Sequence, residues 1–269
     1  MALAQKKSWQ GTMKSVLSRV FLSTVFLHVL RAASPAQPVA TYPSDDCRIE
    51  LWQNARYTIC TVDPAHETIR IYNRSPEGKP FGSFDALRRA LWDEHAILRL
   101  AFNGGMYEED LSPVGLHVEY GRTRKPINLA DGWGNFYMKP NGVFYIAGAK
   151  AGVMASEAFA KAGMEVDFAT QSGPMLVTNG KIHPRFLPDS DSRKIRNGVG
   201  VDRNGKVVFV ISEEPVRFYD LASLYRDRLD TPDALFLDGS ISSMAYPAAG
   251  RMDKAFPLGT IIAVIAPRP

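Results

Sequence analysis

Ten short runs of β-branched and aromatic residues, punctuated by turn residues, constrain this chain more than any other feature. They are Arg56–Cys60, Ile69–Tyr72, Ala96–Phe102, Phe136–Met138, Val143–Ile146, Pro174–Val177, Gly198–Val201, Val207–Ile211, Ala234–Leu237 and Ile261–Ile265. Runs this short form strands, because branched and aromatic side chains pack well on a pleated, half-buried surface. Asn141-Gly142, Asn179-Gly180 and Asn204-Gly205 fall between runs, where hairpin turns need positive φ, so much of the sheet is expected to be antiparallel. Three helices interrupt the strands. Ser83 caps one that runs through Trp92, a second covers Ser156 to Ala162 and stops at Gly163, and a third, Phe218 to Leu229, sets Leu221, Leu224 and Tyr225 at helical spacing. The stretch from Val207 to Asp238 reads strand, helix, strand, and a connection of that length can lay two strands parallel by a right-handed crossover. The expected fold is therefore α+β: a mixed, largely antiparallel sheet with a few packed helices and one strand-helix-strand crossover. Gly104-Gly105, Gly132-Trp133-Gly134 and Gly198-Val199-Gly200 do not match GxGxxG after a strand, and no P-loop is present, so a dinucleotide-binding fold is not expected.

From Asp45 onward there is no low-complexity linker, long charge run or repeat, and 269 residues with 45% hydrophobic content suffice for one large core. A single domain over 37–269 is expected. Residues 1–36 read as a leader. Lys6, Lys7, Lys14 and Arg19 flank or precede the apolar run Val20–Leu30, and Ser34-Pro35-Ala36 offers small residues for cleavage. The run falls short of the about 20 apolar residues that span a bilayer, and it fits an export signal. Arg31, directly after it, suits an uncleaved amphipathic anchor instead. The expectation is an exported protein, periplasmic or secreted, that meets a membrane only through this leader.

The net charge of +4 invites a nucleic-acid reading. Five of the 32 cationic residues and none of the 28 acidic ones precede Thr41, which leaves 27 against 28 in the remainder. No nucleic-acid partner is expected. Cys47 and Cys60 flank a short strand-turn-strand stretch, where they form either a disulfide or two free buried thiols. His28, His66, His95, His117 and His183 show no metal-ligand spacing, and neither a metal nor another cofactor is expected.

If the crossover forms, the carboxyl ends of its two strands share an edge, and ligands of open sheets bind just beyond such ends. Glu213-Glu214 and Asp238 stand there, and Asn103 with Gly104-Gly105 follows another strand in the same manner. Adjacent strands lie about 4.8 Å apart, which brings such carboxylates near the separation of paired glycosidase acids. Acids after strands also simply cap turns. Asp238-Gly239-Ser240-Ile241-Ser242-Ser243 suits an anion nest or a tight turn, and Gln171-Ser172-Gly173-Pro174 is a second strand-entry turn. Arg193, Lys194 and Arg196 form either a phosphate clamp or a solvated edge. Neither Ser172 nor Ser242 lies in GxSxG, so no nucleophile elbow is expected.

Five motifs in one order, Asn103-Gly104-Gly105-Met106-Tyr107, Gly134-Asn135-Phe136 with Asn141-Gly142-Val143-Phe144, Gln171-Ser172-Gly173-Pro174-Met175-Leu176, Arg196-Asn197-Gly198-Val199-Gly200 and Leu237-Asp238-Gly239-Ser240-Ile241-Ser242, resemble the phosphodiester glycosidase family. The family includes the uncovering enzyme, which removes N-acetylglucosamine from a sugar phosphodiester on lysosomal hydrolases, and many exported bacterial proteins. The resemblance implies cleavage between a sugar anomeric carbon and a phosphodiester oxygen, with a glycan or sugar phosphodiester as the partner molecule. It implies catalytic roles for Asp238, Glu213 and Arg196, and substrate contacts from Asn103, Gly104, Gly105, Ser172, Gly173, Gly239 and Ser242. Ser240-Ile241 departs from the glycines of many relatives, so the sugar does not transfer with the reaction. The same residue types also suit a metal-assisted phosphodiesterase or a non-catalytic module that binds glycan phosphodiesters.

Overall fold

The computed structural model describes residues 47–269; the expected leader lies outside the described residues. In chain order the strands are β1 (Cys47–Trp52), β2 (Ala55–Val62), β3 (Thr68–Tyr72), β4 (Ala96–Asn103), β5 (His117–Glu119), β6 (Arg122–Lys125), β7 (Gly142–Ala147), β8 (Lys150–Ala155), β9 (Phe168–Ser172), β10 (Met175–Thr178), β11 (Lys181–Ile182), β12 (Asn197–Val201), β13 (Val207–Ser212), β14 (Asp233–Phe236), β15 (Met244–Tyr246), β16 (Arg251–Met252) and β17 (Ile261–Pro267). The α-helices are α1 (Phe84–Asp93), α2 (Ser156–Ala162) and α3 (Phe218–Ser223). The strands form a seven-stranded sheet in the order β1-β2-β13-β12-β14-β10-β11 and two five-stranded sheets, β16-β15-β4-β17-β3 and β6-β5-β9-β7-β8. Every neighbouring pair is antiparallel, as the hairpin signals lead one to expect. The fold is α+β.

The three sheets meet on one core. Phe209 of the seven-stranded sheet stacks on Phe102 of β4 with centroids 4.8 Å apart, and meets Phe144 of β7 edge-on at 6.0 Å. Strand alternation explains the layering. Along β13, Phe209 and Ile211 face this shared core, while Val208 and Val210 face α3, where Leu221, Leu224 and Tyr225 pack. Phe84, Leu87 and Leu91 of α1 cover the outer face of the β4 sheet, and Phe159 of α2 covers Val143 and Ala169 of the third.

The expected helix signals act locally. Ser83 Oγ accepts the Ala86 N–H at 3.2 Å to start α1, and α2 stops at Gly163 with φ 58°. The third helix begins at Phe218, but its second half, Leu224–Arg228, widens into a π turn. The crossover is present: β13 and β14 both pair antiparallel with β12, so they run parallel to each other on either side of it. Asn179 (φ 49°) and Gly180 (φ 73°) turn the β10–β11 hairpin.

Two expectations fail. Asn141-Gly142 is not a hairpin turn: Gly142 opens β7, and a Cβ there would lie 2.3 Å from Met175 Sδ, so close packing requires that glycine. Phe136–Met138 is no strand; Asn135–Tyr137 forms a 3-10 turn that buries Phe136. Gly134 at φ 92° and Pro140, which has no N–H to give a ladder, leave too little chain for pairing. Of the alternatives for the cysteines, the disulfide is formed, joining Cys47 to its cross-strand partner Cys60. Among the described residues, no helix is long and apolar enough to cross a membrane.

Candidate functional site

The crossover brings the ends of β13 and β14 and the start of β12 to one edge. Arg196 precedes β12 and is fastened to β13: its N–H donates to Ser212 Oγ (3.0 Å), and Ser212 N–H donates to its carbonyl (2.9 Å). On the other side Leu237 N–H donates to Asn197 O (3.2 Å).

A buried amide network ties this edge to the β4 sheet. Asn103 Nδ2 donates to Asp238 O (2.8 Å), and Asn103 Oδ1 accepts Asn197 Nδ2 and Ser243 N–H, both at 2.9 Å. Asp238 N–H donates to Gly104 O (3.1 Å), and Ser242 Oγ lies 3.1 Å from Asn197 Oδ1 and 3.2 Å from Ile195 O as a donor. Buried amides satisfied in this way lock one conformation, because breaking any bond strands a polar group away from water. The network thus sets the backbone of the Asp238 loop.

Asp238 Oδ1 accepts the Ser240 N–H at 3.1 Å and caps the short turn Gly239–Ile241. Burial raises its carboxyl above the usual carboxylate range, and the Ser240 bond offsets only part of that. Burial, and after it the charge of Asp238, raises the Tyr107 phenol. Tyr107 OH donates to Pro257 O (2.6 Å).

Arg196 is 3% exposed. Nε donates to Val216 O (2.9 Å) and Nη2 to Ser192 O (3.2 Å), while Nη1 donates to none of the described residues. The guanidinium lies 3.6 Å from the Phe218 ring centroid and 5.6 Å from that of Phe236. Burial lowers its pKa to about 10, so it remains a cation at neutral pH. With Lys194, Asn135, Gly239, Ser240, Ser242 and Phe256 it lines a cleft of ≈ 540 Å³. A desolvated cation with one unspent guanidinium nitrogen, among hydroxyl and backbone groups, is suited to an oxyanion.

The expected site residues divide into three groups. Arg196, Gly239 and Ser242 line the cleft; Asp238 directly precedes Gly239 in the chain and is not itself among the lining residues. Asn103, Gly104, Gly105, Ser172 and Gly173 are buried in the interior, and none of them is among the residues that line the cleft. Asn103 has spent its amide inside the protein. A Cβ on Gly104 would lie 2.6 Å from Thr260 Cγ2, on Gly105 2.1 Å from Gln171 O, and on Gly173 2.7 Å from Phe136 O, so these glycines permit close approach of chain to chain. Ser172 Oγ is buried without a hydrogen-bond partner.

Glu213 is the residue that the structure does not bring in. It stands one residue beyond β13 and is not among the residues that line the cleft, and Arg196 lies on the face of Phe218 and Phe236. Its Oε1 accepts Thr58 Oγ1 and Arg251 Nη1, both at 2.6 Å, and Arg251 also bonds Asp253. Glu213 and Asp238 share no partner. Next-adjacent strand ends suggest proximity, but both residues stand beyond their strands, where each takes partners of its own. Phe218, Phe236 and Phe256 escape a reading of candidate roles by residue type, because they come from different elements and meet only across the cleft, whereas Asn135, Lys194 and Ser240 stand in stretches that the sequence singles out. Asn197 stands in a quoted motif next to Arg196, and that adjacency was its signal.

An α+β fold of three antiparallel sheets agrees with what comparison finds. Residues 97–265 match the phosphodiester glycosidase family, and the chain belongs to it. It is 36% identical over 257 residues to the uncharacterized protein YigE of Escherichia coli (strain K12), covering 95% of each chain. Its fold is similar to the zebrafish N-acetylglucosamine-1-phosphodiester alpha-N-acetylglucosaminidase catalytic domain auto-inhibited by its pro-peptide (TM-score 0.58, 13% identity, 81% of each chain). It is also similar to a hypothetical protein from Synechocystis (TM-score 0.55, 14% identity, 82% of this chain and 61% of the other).

Proposed function

We propose that the chain hydrolyses the bond between the anomeric carbon of a sugar and a phosphodiester oxygen, releasing the sugar and a phosphate monoester. The observation that carries this reading is Arg196, buried on Phe218 with Nη1 unspent, in a cleft that Gly239 also lines, the residue directly after Asp238, whose carboxyl is raised by burial. Arg196 holds the phosphate. Asp238 serves the anomeric carbon as stabiliser, nucleophile or base for water. With Glu213 bound to Arg251 outside the cleft, a single carboxylate must suffice. It does so because the leaving group is a phosphate monoester with a second pKa of about 6, which departs as an anion with little need for a proton. Arg196 and the backbone N–H groups of the Gly239 loop stabilise the charge that develops there.

A phosphodiesterase that cuts P–O through a divalent ion joining Asp238 and Glu213 is disfavoured by their separate partners. Export, periplasmic or secreted, is part of the proposal, supported by the leader sequence and by a Cys47–Cys60 disulfide of the kind that persists in oxidising compartments. The test is a panel of sugar-1-phosphodiesters with free sugar as the readout, run in heavy-oxygen water. The expected result is released sugar carrying the label at its anomeric oxygen. Label in the phosphate instead, or no release, rejects the reaction.

A further inference from the structure

Two aromatic side chains next to the cleft are left without a packing role. Phe256 lines the cleft and is 49% exposed, and Trp133 is 98% exposed. Trp133 lies two residues before Asn135, which lines the same cleft. Two residues of chain span at most about 7 Å, so the backbone of Trp133 lies within that distance of a residue that lines the cleft. Burying an indole contributes strongly to stability, and a chain that leaves one almost wholly in water forgoes that gain. The presentation is structured: Gly132 packs on the Tyr137 ring, where a Cβ would lie 2.8 Å away, and Gly134 turns the chain at φ 92°. On the other side, the Tyr107 OH bond to Pro257 O anchors the residue next to Phe256.

We propose that Trp133 and Phe256 form a stacking platform for the pyranose ring attached to the phosphate that Arg196 holds. They make the cleft selective for sugar phosphates over inorganic phosphate. This rests on the proposed glycosidase reading and deepens it by assigning the residues that recognise the ring. A pyranose offers an apolar face of C–H groups and a rim of hydroxyls. Flat aromatic side chains cover the first, and Asn135 and Ser240 lie in the same cleft to bond the second. A guanidinium alone binds phosphate whatever it carries, so preference for the sugar must come from groups that touch the ring.

The test measures binding of glucose 1-phosphate and of inorganic phosphate to the full-length chain by calorimetry, for wild type, Trp133→Ala, Phe256→Ala and the double variant. Both side chains are exposed, so the variants keep the fold. Wild type is expected to bind glucose 1-phosphate about tenfold more tightly than inorganic phosphate, a margin within the reach of aromatic contacts. The double variant is expected to lose that margin while its affinity for inorganic phosphate stays within about twofold. Trp133 emission is expected to respond to glucose 1-phosphate and not to inorganic phosphate. An unchanged margin in the double variant, equal weakening of both ligands, or no binding of either by wild type overturns the platform. Absence of diester turnover with the margin behaving as stated rejects the hydrolase and leaves the platform standing; turnover with an unchanged margin rejects the platform alone.

Discussion

Asp238 carries opposed demands. Its folded pKa lies above the ordinary Asp value of about 3.9, so the native state favours the neutral carboxyl. Its contribution to stability is complete below the ordinary value and is lost as pH rises through the raised one. Asp238→Asn, neutral throughout, is therefore expected to raise Tm at neutral pH and to match wild type in acid. Melting curves across this range check it; a gain in acid, or none at neutral pH, refutes the burial argument. On the proposed reading the same variant loses turnover by about 10³-fold, and the acid limb of the wild-type kcat/KM profile lies above the ordinary carboxylate value. Arg196→Met is expected to cost about 10²–10³-fold in kcat with loss of phosphate binding, measured by steady-state kinetics and calorimetry. A variant with normal phosphate affinity removes Arg196 from the site.

At the scale of elements, the β4, β12 and β14 ends are joined by the Asn103 amide. Asn103→Ala strands Asn197 Nδ2, Ser243 N–H and Asp238 O in the interior. Each buried unsatisfied group costs about 1–3 kcal/mol, so the variant is expected to lose several kcal/mol in denaturant unfolding and to fall in activity although Asp238 and Arg196 are intact. Wild-type stability in that variant shows that the network does not hold the loop. The strand character of most runs, the caps of α1 and α2 and the crossover were legible because each follows from local residue pattern and chain length. Phe136–Met138 misled because aromatic residues favour a strand wherever pairing is available, and glycine and proline on either side denied it.

Across the whole molecule, one aromatic stack holds three sheets in place. Phe209 touches both Phe102 and Phe144, and Phe209→Ala is expected to cost about 3–5 kcal/mol, read from unfolding midpoints. A loss below about 1 kcal/mol means that the sheets are held by other contacts. By itself the sequence determined the elements, the antiparallel bias and the family motifs, since branched residues, turn glycines and capping serines act over a few positions. Only the tertiary structure decided which motif residues face a ligand. Asn103 and Ser172 went into the interior, and Glu213 went to Arg251, because burial and pairing depend on what packs against a residue, and those neighbours lie far away along the chain.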